Sequence, residues 1–366
     1  ADIVTVEGNG ATIKGLDGAL FAGGFAGGSG IVIKDLTIED AHMIADNTQG
    51  YGAFVNCADS MDEITLINCH LKNSTIITPN DGAAESRIGG LVGWTAGYNN
   101  QNDGPVDSYI TIQNCSVTGC TLKGAGSIGG ICGHAGANAA TFTTIENCTV
   151  TGNTFISTDD GDCRVGTVVG TANNGQCVIK NITSSGNTCS QTGKTAPEDH
   201  TDLYGRFVPS GTGTLVIDRI DEALGYGKND DGSYNVNSTT ALNAVLSMAD
   251  ASVINLLPAE YKMPSTTNAS TITINGADGV VIDNTMGAYC EKTELTFNNV
   301  SFKTTFGKVN GNGSDYAALY SENVTYNECT FDGPMLIGRD GAKFIGCTFN
   351  NLGNEYIRTY GNVCTF

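Results

Sequence analysis

A pattern that returns every 33 or 34 residues is the feature that most constrains this chain. The stretch ITIQNCSVTGCTL returns as TTIENCTVTGNTF and as CVIKNITSSGNTC, and IGGLVG, IGGICG or VGTVVG precedes each copy. Asn114, Asn147 and Asn181 occupy the equivalent position of successive copies. A period of this size predicts a repeat fold in which each copy packs only against its neighbours.

The repeat predicts short strands joined by bends. Apolar and polar residues alternate within each copy, which is typical of a strand with one buried face. The alternation breaks at Asn114, and asparagine tolerates the left-handed backbone conformation that a bend requires. The glycine-rich stretch supplies a third strand, in which glycine permits close approach of neighbouring backbones. The sequence therefore predicts an all-β fold, a right-handed parallel β-helix (β-solenoid) in two solenoid segments.

Stacking of the repeats predicts a row of asparagines. In a parallel sheet, residues in register on neighbouring strands lie ~4.8 Å apart. We therefore expect the side-chain amides of Asn68, Asn114 and Asn147 to hydrogen-bond to one another along the row.

Cysteines form a second row. Parallel Cβ vectors at this spacing do not suit a disulfide, so we expect these cysteines to be reduced and buried as small apolar residues. The row contains Cys69, Cys115 and Cys148 in the first segment, and Cys329, Cys347 and Cys364 in the second. Outside the row, Cys163 and Cys177 could pair across a loop, or remain free.

Charge and composition exclude some classes of function. The chain carries 38 Asp and Glu against 18 Lys and Arg, a formal net charge of −20, which excludes a nucleic-acid partner. No apolar run reaches the ~18 residues that can span a membrane. Low charge density with 49 glycines in 366 residues is typical of an extracellular solenoid. We expect a secreted or cell-surface protein whose export segment has been removed.

The pattern divides the chain into three parts. Residues 1–222 carry the glycine-rich repeats, and residues 223–236 are interpreted as a turn-rich linker. Residues 237–366 hold a second solenoid that opens with an amphipathic helix, because Leu242 and Leu246 fall on one face with other apolar residues. We expect this helix to cap the second solenoid by covering backbone groups that would otherwise invite edge pairing.

Phenylalanines recur in the second part. The stretches NNVSF, NECTF, IGCTF and NVCTF align a core column that contains Phe302, Phe331, Phe349 and Phe366. Because the chain stops on such a stretch, we expect this segment to be incomplete and its last edge to be covered by further chain or by a partner.

The glycine-rich stretches and the strands between them resemble a known family. IGGLVG, IGGICG and VGTVVG, with strands of the ITIQNCSVTGCTL type, resemble bacterial surface proteins that carry GLUG-type repeats, over roughly residues 1–190. The second part resembles pectin-lyase-like β-helices, including their helical cap. The resemblance implies export, exposure on the outer surface of a bacterium and a role in cell adhesion. It carries over no catalytic residues.

One loop combines aromatic and amide side chains in a way that is typical of sugar binding. The candidate ligand-binding residues are Trp94, Tyr98, Asn100 and Asp103. The alternative is that Trp94, the one tryptophan of the chain, packs over a corner of the repeat as a structural cover.

A second loop could hold calcium. Asp159, Asp160 and Asp162 bring three carboxylates together, and oxygen ligands of this kind suit Ca²⁺. The alternative is a solvated acidic loop. No other cofactor is expected.

The sequence carries no recognisable catalytic set. His134 in GHAG is similar to the Gly-His-Gly of pectin-type hydrolases, but Asp159 and Asp160 follow it instead of preceding it. We therefore expect a non-catalytic, adhesin-like protein that binds glycan or host matrix through loops of the first solenoid. The alternatives are a polysaccharide lyase or glycoside hydrolase on the same fold, and a structural stalk or fibre subunit.

Overall fold

The chain folds into two compact units, Ala1–Asp218 and Arg219–Phe366. The structure is a computed structural model that describes residues 2–21, 29–45, 50–59, 61–78, 86–96, 98–100, 104–158, 164–191, 203–207, 213–262, 270–283, 294–303, 318–319, 324–333, 335–337, 340–351, 357–358 and 363–366. The described residues are almost entirely β, with parallel sheets and one short helix, which is consistent with the predicted β-helix.

The first unit contains short strands in a repeating order. They are β1 (Asp2–Lys14), β2 (Ser29–Glu39), β3 (His42–Ile44), β4 (Val55–Asp59), β5 (Met61–Lys72), β6 (Thr75–Ile77), β7 (Ser86–Gly89), β8 (Val92–Ala96), β9 (Tyr98–Asn100), β10 (Gly104–Val106), β11 (Ser108–Gln113), β12 (Ser116–Thr118), β13 (Thr121–Gly124), β14 (Gly126–Gly129), β15 (Cys132–Ala135), β16 (Thr141–Glu146), β17 (Thr149–Thr151), β18 (Thr154–Ser157), β19 (Arg164–Gly166), β20 (Val169–Ala172), β21 (Gln176–Lys180), β22 (Thr183–Ser185), β23 (Thr188–Gln191), β24 (Tyr204–Phe207) and β25 (Thr214–Ile217).

Equivalent strands of successive repeats pair in parallel. We call the largest assembly of the first unit the broad sheet; its strands pair in the order β1, β2, β5, β11, β16, β21 and β25. Each strand of the broad sheet turns alternate side chains inward, so that Ile64, Ile110 and Ile112 are buried while their neighbours face outward. Three further parallel stacks complete the unit: β3-β6-β13-β18-β23, β7-β14-β19 and β4-β8-β15-β20-β24.

The predicted bends are present at the asparagine positions. Asn68, Asn114 and Asn147 all have left-handed backbone angles, with φ of 52°, 55° and 54°. The predicted amide row is wrong in part. Asn68 Nδ2 donates to Asp35 Oδ1 at 2.6 Å, and its Oδ1 contacts His70 Nε2 at 3.0 Å. The histidine therefore occupies the oxygen that Asn114 would have used.

The cysteine row of the first unit is confirmed as buried free thiols. Cys69, Cys115 and Cys148 are all buried and unbridged. Each thiol donates to backbone carbonyls; for example, Cys115 Sγ lies 3.1 Å from Gln113 O. In the second unit Cys329 is buried, whereas Cys347 and Cys364 are only partly buried, so the prediction of full burial is wrong for those two.

The alternative disulfide outside the row is not formed. Cys177 is a buried free thiol of the broad sheet, on β21, and burial raises its pKa to about 12. Its predicted partner, Cys163, lies outside the described residues.

The glycine-rich stretches mark places where two backbones touch. A Cβ added to Gly89 would lie 1.9 Å from Val92 O, and one added to Gly129 would lie 2.1 Å from Cys132 O. The chain doubles back at these points, so β7 lies against β8 and β14 against β15. Only glycine fits the contact, which explains why the stretch recurs.

The second unit also contains parallel stacks. Its elements are β26 (Ile220–Asp221), β27 (Tyr226–Lys228), β28 (Tyr234–Val236), α1 (Thr239–Leu246), β29 (Val253–Leu256), β30 (Glu260–Lys262), β31 (Thr271–Asn275), β32 (Val281–Asp283), β33 (Glu294–Asn298), β34 (Ser301–Lys303), β35 (Ala318–Leu319), β36 (Thr325–Asn327), β37 (Thr330–Asp332), β38 (Met335–Ile337), β39 (Ala342–Ile345), β40 (Thr348–Asn350), β41 (Ile357–Arg358) and β42 (Cys364–Thr365). The segment 223–236, interpreted as a linker, thus contains β27 and β28, which pair antiparallel.

Helix α1 begins at a serine cap. Ser238 Oγ accepts a hydrogen bond from Ala241 N at 3.2 Å, which satisfies one of the free amides of the first turn. Leu242, Val245 and Leu246 are completely or almost completely buried in the core of the second unit. The helix ends at Leu246, three residues before the predicted end, and its capping role stays a prediction.

Two aromatic columns fill the core of the second unit. Phe302, Phe331 and Phe349 stack as predicted, with centroid distances of 5.0 and 5.2 Å. Phe366 instead stacks on Phe344, at 4.9 Å, in the neighbouring column. The predicted column is therefore correct for three of its four members, because the side chain of Phe366 follows the other strand of the repeat.

The asparagine row that the sequence predicts for the first unit is present in the second. Each side-chain amide donates to the side-chain oxygen of the asparagine one repeat earlier, at 2.8 to 3.1 Å, through Asn235, Asn255, Asn275, Asn298 and Asn327. This row lies one residue before the left-handed bend, whose positions include Asn299 and Glu328. The bend and the amide row are thus separate features.

Candidate functional site

Trp94 lies beside an arginine and a histidine on the glycine-rich strands. The Cζ atom of Arg87, on β7, lies 4.7 Å from the centroid of the Trp94 ring on β8. Arg87 Nε donates to His134 Nδ1 at 3.1 Å, and His134 is in register with Trp94 on the next repeat. The guanidinium covers one face of the indole, and a cation–π contact of this kind stabilises the fold.

These contacts favour the structural alternative for Trp94. The ring is only partly exposed, and its Nε1 atom is buried without a hydrogen-bond partner among the described residues. A sugar platform needs an open ring face, and Arg87 occupies one of the two. Trp94 therefore acts first as a cover over the glycine corner.

The other predicted ligand residues cannot be compared with a side-chain structure. Tyr98 and Asn100 lie on β9, which pairs antiparallel with β10, and nothing further is described of their side chains. Asp103 lies outside the described residues, as do the predicted calcium ligands Asp159, Asp160 and Asp162. Both sites stay predictions. Within the described ranges, His, Cys, Asp and Glu form no group of three that could hold a metal ion.

His134 is a buried structural residue. Its Nδ1 atom accepts the hydrogen bond from Arg87, so the ring carries its proton on Nε2. Trp94 and Thr171 lie in register on either side of it. The surroundings of His134 differ from the paired carboxylates that a pectin-type hydrolase would require.

An exposed aromatic pair stands on the outward face of the broad sheet. The rings of Tyr109 and Phe142 stack with a centroid distance of 5.1 Å and an interplanar angle of 14°. Tyr109 is 53% exposed, although Ser108 and Ile110 on either side of it are buried. The two rings are in register on β11 and β16, one repeat apart. A large ring turned into solvent at a strand centre is unusual and marks a surface that can take a ligand.

Polar side chains extend this pair in both directions. Glu63 is in register with Tyr109 on the preceding repeat, and Gln176 is in register with Phe142 on the following one. We call the set Glu63, Tyr109, Phe142 and Gln176 the platform row. Three strand spacings separate its ends, which is ~14 Å.

Hydrogen bonds orient the side chains of the platform row. Thr65 Oγ1 donates to Glu63 Oε1 at 2.9 Å, which leaves Glu63 Oε2 directed to solvent. The Tyr109 hydroxyl donates to Asp107 Oδ2 at 3.3 Å. The negative charge of Asp107 is the main reason that the pKa of Tyr109 is raised, so the hydroxyl stays protonated and polar.

Next to the platform row runs a row of hydroxyls. Thr65, Thr111 and Thr144 are in register on successive repeats and face outward. Beyond it, Glu146 accepts from Gln113 Nε2 and lies 3.3 Å from Lys180 Nζ. The outward face of the broad sheet therefore offers rings, hydroxyls and amides, with its carboxylates partly neutralised.

A groove crosses the outward face of the second unit. It has a volume of about 620 Å³, and its lining includes Glu260, Lys303, Asp332 and Asn350. Lysine and aspartate alternate along one row of its floor, because Lys303 is in register with Asp283 on one side and with Asp332 on the other. Opposite charges on neighbouring strands stabilise a sheet, so the alternation has a structural explanation.

The two aspartates of this row are the nearest approach to a carboxylate pair in the groove. Asp283 and Asp332 lie two strand spacings apart, ~9.6 Å by strand geometry. Inverting glycosidases separate their carboxyl groups by ~6.5–9.5 Å and retaining ones by ~5–5.5 Å. The pair therefore lies at the limit of the first class and outside the second.

Our sequence interpretation missed the platform row. Tyr109 and Phe142 occupy the same position of successive repeats, directly before the strands ITIQ and TTIE. Alignment of the repeats would therefore have identified them. We had grouped Tyr109 with Trp94 by proximity in the sequence, whereas the register joins it to Phe142.

Comparison with known proteins identifies one segment. Residues 124–156 match the family model of the GLUG motif, which confirms the predicted resemblance for this part of the chain. No curated protein and no solved structure matches the chain. Helix α1 has eight residues, and the described ranges contain no helix with the length and apolar character needed to cross a bilayer.

Proposed function

We propose that this protein is a non-catalytic, adhesin-like protein of a bacterial surface, which binds glycan or host matrix through its first unit. In this proposal each unit is a right-handed parallel β-helix that acts as a rigid support. The GLUG motif over residues 124–156 and the repeated parallel pairing of the strands support this architecture.

The outward face of the broad sheet is the observation that carries the binding function. It presents the stacked pair Tyr109 and Phe142 beside a row of threonine hydroxyls on a flat, in-register surface. Aromatic faces and neutral hydrogen-bonding groups match the C–H faces and hydroxyls of sugars. The notebook of candidate loop residues, Trp94, Tyr98, Asn100 and Asp103, lies in the same unit and remains a second place where glycan could bind.

One experiment separates the possible functions. The purified protein is screened on a glycan array, and the same sample is incubated with soluble polysaccharides whose chain length is followed by chromatography. We expect binding without cleavage. Cleavage would contradict the non-catalytic function, and the absence of both binding and cleavage would favour a structural stalk. Surface exposure is tested separately by antibody labelling of intact cells that produce the protein.

A second candidate function is a polysaccharide-acting enzyme that uses the groove of the second unit. The spacing of Asp283 and Asp332 in the groove row favours it, since the pair lies at the upper limit for inverting hydrolysis. If the cleavage assay is positive, Asp332→Asn should abolish the activity. Lys303 between the two carboxylates argues against this function, because an ammonium group there stabilises both aspartates as anions.

A further inference from the structure

The platform row of the first unit has the chemistry of a defined carbohydrate subsite. Its two rings, Tyr109 and Phe142, cover one face of each other, so the outer face of each remains for another partner. Tyr109 borders Glu63 on its outer side and Phe142 borders Gln176. The order along the row is therefore carboxylate, ring, ring, amide.

The polar ends of the row are available to a ligand. Glu63 uses Oε1 to accept from Thr65, and Oε2 can accept a further hydrogen bond. Gln176 is exposed, and its amide makes no hydrogen bond to another described side chain, so it offers both a donor and an acceptor. A ligand that spans the row would thus meet an acceptor at one end and a mixed donor and acceptor at the other.

The length and charge of the row select the class of ligand. Equivalent positions lie ~4.8 Å apart, close to the length of one pyranose ring, so a linear sugar chain along the row could place one ring at each repeat. The chain has a net charge of −20, and Glu63 and Asp107 add negative charge locally. Anionic sugars such as uronates would be repelled, whereas neutral sugars would not.

We propose that the platform row binds a neutral, linear oligosaccharide of about three pyranose rings, which lies along the row across successive strands of the broad sheet. The proposal rests on the proposed glycan-binding function and names the ligand class and the residues that hold it. Tyr109 and Phe142 supply apolar ring surface, and Glu63 and Gln176 hydrogen-bond sugar hydroxyls.

The test uses titration calorimetry of the whole chain with neutral and charged probes. The neutral probes are cellohexaose, xylohexaose and mannohexaose, and the charged probe is hexagalacturonic acid. At least one neutral probe should bind, with the charged probe at least tenfold weaker. For that neutral probe, Tyr109→Ala/Phe142→Ala should weaken binding by about tenfold or more, because two ring contacts are lost.

Two variants serve as controls. Tyr109→Phe keeps the ring and should bind within about twofold of the unaltered protein, since the hydroxyl is directed to Asp107. Ile44→Ala removes an exposed apolar side chain from another sheet of the same unit and should bind normally. Circular dichroism of each variant verifies the fold.

The double variant could lose its fold because the two rings also support each other. The end residues provide an independent measurement, since Glu63→Ala and Gln176→Ala leave the stacked rings in place. Each should weaken binding by about threefold, the loss of one hydrogen bond at an exposed site. Unchanged affinity in both end variants would overturn the proposed subsite.

The remaining outcomes separate this proposal from the proposed function. If the double variant binds as well as the unaltered protein while Trp94→Ala does not, glycan binding stands and the platform row is not its site. If hexagalacturonic acid binds as tightly as the neutral probes, the ligand class is wrong. If none of the probes and no glycan of the array binds, both the subsite and the glycan-binding function are overturned.

Discussion

The guanidinium group of Arg87 lies over the indole ring of Trp94, with Cζ 4.7 Å from the ring centroid. The two residues come from strands on opposite sides of the glycine corner, β7 and β8. The corner can be this tight because Gly89 has no side chain where Val92 O approaches. The contact therefore joins the strand before the corner to the strand after it and stabilises the doubled-back chain.

Replacement of Trp94 should destabilise the first unit. Trp94→Ala removes a partly buried ring and the cation–π contact, so we expect the free energy of unfolding to fall by about 2–3 kcal/mol. Urea denaturation followed by circular dichroism measures the change. Ile44→Ala, at an exposed position, should cost much less and serves as the control. An unchanged denaturation midpoint for Trp94→Ala would instead return Trp94 to the list of ligand-binding residues.

The buried thiol of Cys120 should make the first unit less stable at high pH. Burial raises the pKa of Cys120 to about 11, above the ordinary value of 9.0. The unfolded chain therefore releases this proton first, and the stability that is present below pH 9 is lost as the pH rises towards 11. The loss from this one thiol should reach ~2–3 kcal/mol, since each pH unit is worth ~1.4 kcal/mol.

Comparison of two proteins isolates that contribution. The free energy of unfolding is measured at pH 7 and pH 10.5 for the unaltered chain and for Cys120→Ala. Burial also raises the pKa of Cys177, so both proteins should lose stability at pH 10.5, but Cys120→Ala should lose less. An equal loss in the two proteins would show that Cys120 is not protected from ionisation in the folded state.

The sequence predicts the repeating parts of this fold and misses the parts that depend on contacts across a repeat. Asn68 and Asn114 were placed at bends because asparagine tolerates left-handed angles, and the structure confirms both. The predicted hydrogen bond between their amides failed because His70, two residues further on, reaches the same oxygen. Which of two partners an amide takes depends on side-chain geometry, and a repeat pattern contains no information about it.

The candidate site shows the same division. A repeat alignment can pair Tyr109 with Phe142, because register follows from the period. It cannot place Arg87 on Trp94, because that contact depends on how tightly the chain doubles back between the two strands. Local chemistry alone had favoured Trp94 as a sugar platform, and the tertiary contact changes that interpretation.

Helix α1 should be required for the fold of the second unit. Leu246 is almost completely buried in the core, so Leu246→Asp places a carboxylate among apolar side chains. We expect a loss of at least about 3 kcal/mol, because the charge has no partner there. Hydrogen exchange of strands β29 and β30 should accelerate.

A matched variant controls for the added charge. Ala244→Asp introduces the same carboxylate two residues earlier, on the exposed face of the helix. It should leave hydrogen exchange of the second unit nearly unchanged, since a surface substitution usually changes stability by about 0.5 kcal/mol or less. If both variants behave alike, the buried face of α1 does not hold the unit together.

The asparagine row of the second unit should contribute stability through continuous side-chain hydrogen bonding. Asn275 Nδ2 donates to Asn255 Oδ1 at 2.9 Å, and Asn275 Oδ1 accepts from Asn298 Nδ2 at 2.8 Å. Asn275→Ala removes both bonds and leaves two half-buried amides without their partners. We expect the free energy of unfolding of the second unit to fall by about 2 kcal/mol, roughly 1 kcal/mol for each bond. Thr273→Ala, on the same strand and equally half-buried, changes a side chain outside the row and should cost less than half as much. Chemical denaturation of the two variants side by side measures the difference, and equal losses would mean that the row adds nothing beyond ordinary packing.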